Sequence, residues 1–197
     1  MKGLFYIVKG EARAMDIEDL IRSAKKGDRQ SLHELIERHI AIVERFAFQI
    51  GVPSNDVEDV TQEVFLRVYR FLNQYSGKTF TTWLYKITLN VARDHFKKLK
   101  RQNVKERMAI EHAQPINHID STMFKREEDV YLHELIQQLD EKYKWPLVLF
   151  YFHDKKINEI AKILSLPSAT VNTRLARARA ILKQELQTMG GGIDAAR

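Results

Sequence analysis

Residues 156–186 read KINEIAKILSLPSATVNTRLARARAILKQEL, and the spacing of their apolar side chains decides the fold class. Ile157, Ile160, Ala161 and Leu164 recur at three- and four-residue steps, which puts them on one face of a helix and does not fit the two-residue alternation of a strand. Ser165-Leu166-Pro167-Ser168 interrupts the period, because proline has no backbone N–H and biases the residue before it away from helical angles. The period restarts with Val171, Leu175, Ala178 and Leu182, and Ser168 is placed to cap the second helix. The spacing predicts a helix-turn-helix.

Outward from this stretch, the same period runs through 16–50, 55–74 and 79–101 and again from about 127 to 187, with only 4 prolines and 8 glycines in 197 residues to break it. The predicted fold is all-α. Between the two sets, QNVKERMAIEHAQPINHIDSTMF (102–124) has scattered apolar residues and no sustained period. It predicts a flexible linker over 102–126 joining two small helical domains, 15–101 and 127–187, the second containing the helix-turn-helix. Gly190-Gly191-Gly192 predicts a flexible tail over 188–197. Residues 1–14, MKGLFYIVKGEARA, imitate a secretory leader, but the apolar run Leu4 to Val8 is shorter than the roughly 7–15 residues such a leader needs. They are expected to be a disordered extension. No later segment approaches the roughly 20 apolar residues of a membrane span, so membrane insertion is not expected.

Charged residues make up 29% of the chain and the net charge is +6, which suits a polyanionic partner as well as plain solubility. The chain has no cysteine, which excludes disulfides, thiolate nucleophiles and Cys-ligated zinc and fits a reducing cytoplasm. His33-Glu34-Leu35-Ile36-Glu37 is not a zinc-protease helix, because Glu37 stands where the second histidine is needed. His133-Glu134 fails in the same way, with Gln137. No glycine-rich phosphate loop is present. No metal or cofactor is expected.

The second helix of the C-terminal pair turns Ala169, Thr170, Thr173 and Arg177 outward with Asn172 and Arg174 on the flanks, the arrangement of a major-groove reader. Arg177 suits a bidentate guanine contact. Further upstream, the helix after Trp83 buries Leu84, Tyr85, Ile87, Leu89, Val91, Ala92, Phe96 and Leu99 and projects Lys86, Asn90, Arg93, Lys97 and Arg101 in one row. Such a row can follow a phosphate backbone or be a solvated face. The polar loop Asn73-Gln74-Tyr75-Ser76-Gly77-Lys78-Thr79 leads into it, and Trp83 beside the cations suits either unstacked bases or a half-buried lid on the core. The helix before that loop begins at Asn55-Asp56-Val57-Glu58, which resembles a capping box, and buries Val57, Val60, Val64, Val68 and Phe71. Asp59, Gln62 and Glu63 lie on its outer face; Asp56, Glu58 and Asp59 near the N-terminus suit the helix dipole, which does not account for Glu63, and the patch suits protein docking.

Three of these stretches in this order resemble the bacterial RNA polymerase sigma factors, with the two-domain layout of the extracytoplasmic-function (ECF) group. VEDVTQEVFLRVY (57–69) resembles the helix that binds core polymerase, FTTWLYKITLNVARDHFKK (80–98) the minus-ten reader, and EIAKILSLPSATVNTRLARAR (159–179) the minus-thirty-five reader. With LDEKYKWPLVLFYF (139–152) the resemblance covers nearly everything from Met15 to Leu186. Asp140, Ala169 and Asn172 stand where the family commonly has proline, glycine and lysine. The resemblance implies a non-enzymatic initiation factor with core RNA polymerase and promoter DNA as partners. It implies core binding by Asp59, Gln62 and Glu63, and minus-ten contacts by Asn73, Tyr75, Lys78, Trp83, Lys86, Asn90, Arg93 and Lys97. It further implies minus-thirty-five contacts by Ser168, Thr170, Asn172, Thr173, Arg174 and Arg177, and control by an anti-sigma factor. A linker of about 25 residues would let the domains reorient, so the free chain is expected to be extended until a partner clamps it.

Overall fold

The computed structural model describes residues 15–77, 79–109 and 127–194, and among them every regular element is helical. The chain divides into two compact units, 1–38 and 39–197. In the first, α1 (Ile17–Lys25) and α2 (Arg29–Glu37) form a hairpin. The segment 16–50 is therefore three helices, not one. Its first break falls at Gly27, whose φ of +94° is a conformation other residues rarely adopt. Asp28 then restarts the helix by accepting from the backbone N–H of Gln30 and Ser31 and from the Ser31 hydroxyl, which holds its carboxyl below the usual range.

The second unit contains α3 (Ile40–Gln49), α4 (Val57–Phe71), α5 (Phe80–Ala109), α6 (Glu127–Gln138), α7 (Glu141–Tyr151), α8 (Ile157–Leu164) and α9 (Ser168–Asp194). α3, α4 and α5 enclose Phe46, Val64, Val68, Leu89 and Ala92. The stripe read from the sequence ends differently: Phe71 is exposed, and Leu72 in the following 3-10 turn takes the buried place. Phe96 and Leu99 are only half-buried, because the far end of α5 runs past its neighbours. The expected capping box at Asn55-Glu58 does not form. Ser54–Asp56 makes a single 3-10 turn, and the Asp56 carboxylate accepts from His95 Nε2 at 3.0 Å instead.

α5 runs eight residues past the expected domain end, since 102–109 holds good helix formers and neither glycine nor proline. The missing hydrophobic period marks a polar helix there. α9 likewise continues to Asp194, through the glycines where the tail was expected. Residues 1–14, Lys78, 110–126 and 195–197 lie outside the described residues.

α7, α8 and α9 enclose Leu149, Ile160, Ile163, Val171 and Ala178. Ser165, with φ 56° and ψ 48°, ends α8 in the left-handed conformation, and the Leu166 N–H returns to the Ala161 carbonyl at 2.9 Å. The α8–α9 pair is thus the expected helix-turn-helix. Its turn is held by the Ser168 hydroxyl, which donates to Asn158 Oδ1 at 3.0 Å. The halves do not stand apart as expected: α8 packs directly on α5, and Gln137, His133 and His153 contact the end of α3. Burial of apolar and aromatic surface between them opposes the freedom the linker would allow.

Candidate nucleic-acid and protein-docking surfaces

α5 is long enough to display its row over more than four turns. Lys86, Asn90, Lys97 and Arg101 are exposed, and Arg93 is half-buried. Arg93 Nη1 donates to Asn90 Oδ1 at 3.2 Å, which takes up one of the two lone pairs of the amide oxygen. The Arg93 guanidinium also lies 4.7 Å from the centroid of the Trp145 ring, a cation–π contact with α7. The row expected from the sequence is therefore present, with one of its five members turned toward the other half.

The loop before α5 forms an aromatic platform. Tyr75 lies 5.0 Å from Trp83 and 5.7 Å from Phe80, with Phe80 buried beneath and Tyr75 and Trp83 half-buried at the surface. Trp83 is half-buried with its ring against Tyr75 and Phe80, the arrangement of a lid on the core. Gly77 is needed here, because a Cβ on it would meet Tyr75 Cε2 at 2.9 Å. Asn73 is exposed on the same loop. Phe80, not singled out from the sequence, is the buried ring on which Tyr75 and Trp83 pack.

On α4, Asp59 and Gln62 are exposed and Glu63 is half-buried. Gln62 Nε2 donates to Glu58 Oε1 at 3.3 Å. Arg67, not singled out from the sequence, donates to Glu63 Oε1 at 2.8 Å and pairs with Asp94 of α5 at 3.0 Å, so Glu63 and Asp94 raise its already high pKa. The acidic patch is thereby tied to the basic helix.

On α9, Asn172, Thr173 and Arg177 are exposed and Ser168, Thr170 and Arg174 half-buried. The Thr173 hydroxyl donates to the Ala169 carbonyl at 3.0 Å, which turns its methyl outward with its oxygen still able to accept. Thr173 and Arg177 stand opposite the buried Val171, Leu175 and Ala178, with Asn172 and Arg174 on the two flanks. Among the described residues no group of three or more His, Asp or Glu is placed to hold a metal ion, and no helix is long and apolar enough to cross a membrane.

Sequence comparison matches residues 35–102 to Sigma-70 region 2 and residues 129–182 to Sigma-70 region 4, together more than half of the chain. The chain belongs to the Sigma-70 family of sigma factors. Curated relatives of this sigma factor include SigW of Bacillus subtilis, 29% identical over 185 residues that cover 89% of this chain and 99% of SigW. The sigma-H factor of Pseudomonas aeruginosa is 27% identical over 186 residues, covering 87% and 94%. Its fold matches CnrH, solved in complex with the cytosolic domain of CnrY, with a TM-score of 0.65 at 25% identity, covering 88% of this chain and 99% of that one. RpoE of Bartonella quintana, solved in complex with the anti-sigma factor NepR, matches with a TM-score of 0.65 at 17% identity, covering 79% and 96%. As a sigma factor it is a transcription initiation factor and not an enzyme, and its regions 2 and 4 bind core polymerase and the minus-ten and minus-thirty-five elements.

Proposed function

We propose that this ECF sigma factor divides its work among three surfaces. Asp59, Gln62 and Glu63 on α4 dock on core RNA polymerase. Lys86, Asn90, Arg93 and Lys97, with Asn73, Tyr75, Lys78 and Trp83, hold the melted minus-ten element: the cations neutralise phosphates, the Asn90 NH2 addresses a base acceptor, and the aromatic platform receives an unstacked base. Thr173 and Arg177 read the minus-thirty-five element in the major groove, with Ser168, Thr170, Asn172 and Arg174 at its margins.

The observation that supports this division best is the Tyr75–Trp83–Phe80 platform opening directly onto the exposed row of α5. Stacking surface and phosphate-neutralising charge are the two requirements for holding single-stranded DNA. The protein acts in the cytoplasm, where core polymerase and chromosomal DNA are, and an anti-sigma factor that covers the two halves controls it. Run-off transcription by purified core polymerase with this chain on a genomic fragment library tests the reading. Transcripts that share a pair of upstream elements are expected, and their absence with a well-folded chain would overturn it.

A further inference from the structure

Four aromatic rings meet where α3 and α5 begin. His39 stands just before α3 and makes no side-chain bond to cap that helix. Its ring is buried instead, with the Phe80 ring 5.0 Å away at 74°, an edge-on contact. Phe80, the first residue of α5, is buried too and touches both of the other rings: Tyr75 at 5.7 Å and 88°, Trp83 at 5.7 Å and 52°. Tyr75 and Trp83 close the cluster at 5.0 Å. Phe80 is thus the shared neighbour through which a buried histidine reaches the half-buried pair at the surface.

What a histidine adds here over an aliphatic residue is direction, not volume. A leucine would fill the same space, but an aliphatic side chain packs equally well at many angles, whereas two rings meeting edge to face have a preferred one. Direction matters at this place because the backbone supplies little of it. Between α4 and α5 runs a 3-10 turn, Leu72–Gln74, and then a loop. There the Tyr75 N–H returns to the Leu72 carbonyl at 3.0 Å, and the Trp83 N–H reaches the Thr79 carbonyl at 3.4 Å. Gly77 is fitted to the Tyr75 ring, since a Cβ there would stand 2.9 Å from its Cε2. The orientation of Tyr75 and Trp83 therefore depends on the ring packed beneath them, and that of Phe80 on His39.

We propose that His39 is a positioning residue for minus-ten recognition: acting through Phe80, it fixes the angle at which Tyr75 and Trp83 receive the unstacked base. This rests on the minus-ten role given to the platform above. Being buried, His39 touches no DNA itself. It acts on one base only, because the phosphates are met by the row on α5. Its effect has a ceiling. A contact can bias the platform by no more than its own strength, which for an edge-to-face pair corresponds to about two- to tenfold in affinity.

The test uses core polymerase carrying the full chain, with fluorescently labelled single strands of a minus-ten element recovered from run-off transcripts, intact or abasic at one position at a time. In the wild type one abasic position should weaken binding by at least about fivefold, because a stacked base is lost there. His39→Leu keeps the volume and should weaken binding of the intact strand about two- to tenfold, while binding the strand abasic at that position as the wild type does. His39→Phe keeps a ring and should bind the intact strand as the wild type does. Helicity and core affinity should not move. If His39→Leu weakens the intact and abasic strands alike, or leaves the intact strand unaffected, the positioning role is overturned and the platform reading stands. If no abasic position weakens binding in the wild type, the platform reading falls first and the positioning role with it. Should His39→Leu fail to fold, Phe80→Leu breaks the same pair from the other side, and a pattern other than the one expected for His39→Leu overturns the proposal.

Discussion

Lowering the pH from 7.5 to 5 should release the two halves from one another. Burial pushes the pKa of His153 down to about 4, helped by Arg45 of α3 and by Lys155, and burial together with Lys144 pushes His133 down to about 4. Tyr85, also facing His153, stays protonated throughout, because burial raises its pKa. Both imidazoles are neutral when the halves are packed and return toward 6.5 when exposed. A depressed histidine supports the packed state fully above pH 6.5, loses that support as pH falls from 6.5 toward 4, and loses no more below. Between pH 7.5 and 5 the loss is about 2 kcal/mol per imidazole, or roughly thirtyfold in the opening equilibrium, at about 1.4 kcal/mol per pH unit. The distance between spin labels on Arg70→Cys and Lys162→Cys, exposed sites of the two halves, followed with helicity as control, reads the effect. His133→Phe keeps a ring against Phe48 but cannot titrate, and should remove about half of the pH dependence. A label distance unchanged from pH 7.5 to 5 at constant helicity would refute the reasoning, since it would mean that opening exposes neither ring.

The acidic patch is expected to be dispensable for folding: replacing Gln62 and Glu63 together with alanine should weaken core binding, while losing the Glu63–Arg67 pair costs less than about 1 kcal/mol in a denaturant titration. Equal loss of stability and core affinity would argue for a structural patch. Asn90→Ala should change base preference at one minus-ten position in a base-substitution scan, whereas Lys86→Ala should weaken all promoters alike and lower the salt dependence. Uniform effects of both would remove Asn90 as a reader. Arg177→Ala should flatten selectivity at one or two adjacent minus-thirty-five base pairs by about 1–3 kcal/mol, measured by competition binding. An unchanged profile would reassign Arg177 to the phosphates.

What the amino-acid sequence determined by itself was everything carried by local period and punctuation. The apolar stripes of α4, α5, α8 and α9 and the proline break before α9 are legible because a helix face depends only on residues three and four apart. The exposed row on α5 follows from the same arithmetic, once the buried stripe is known. Where the sequence misled, the competing choice was also local but weak: Asp56 could cap α4 or meet His95, and 39 positions of chain separate the partners that won. α5 outran its hydrophobic period, since 102–109 holds good helix formers and neither glycine nor proline to stop the helix.

Tertiary structure alone decided how the halves meet. His153 and Gln49 stand 104 positions apart and Tyr85 and His153 stand 68 apart, and no pattern in a linear chain marks such partners. A histidine reads the same in a sequence whether it faces water or a buried glutamine, because the difference lies in the surfaces brought around it. The flexible composition of 102–126 speaks to what the chain permits. The matched bonds of Gln49, His153, Tyr85, Gln137 and Lys144 specify which of the permitted arrangements is held, since each buried polar group left unmatched would carry its full desolvation cost.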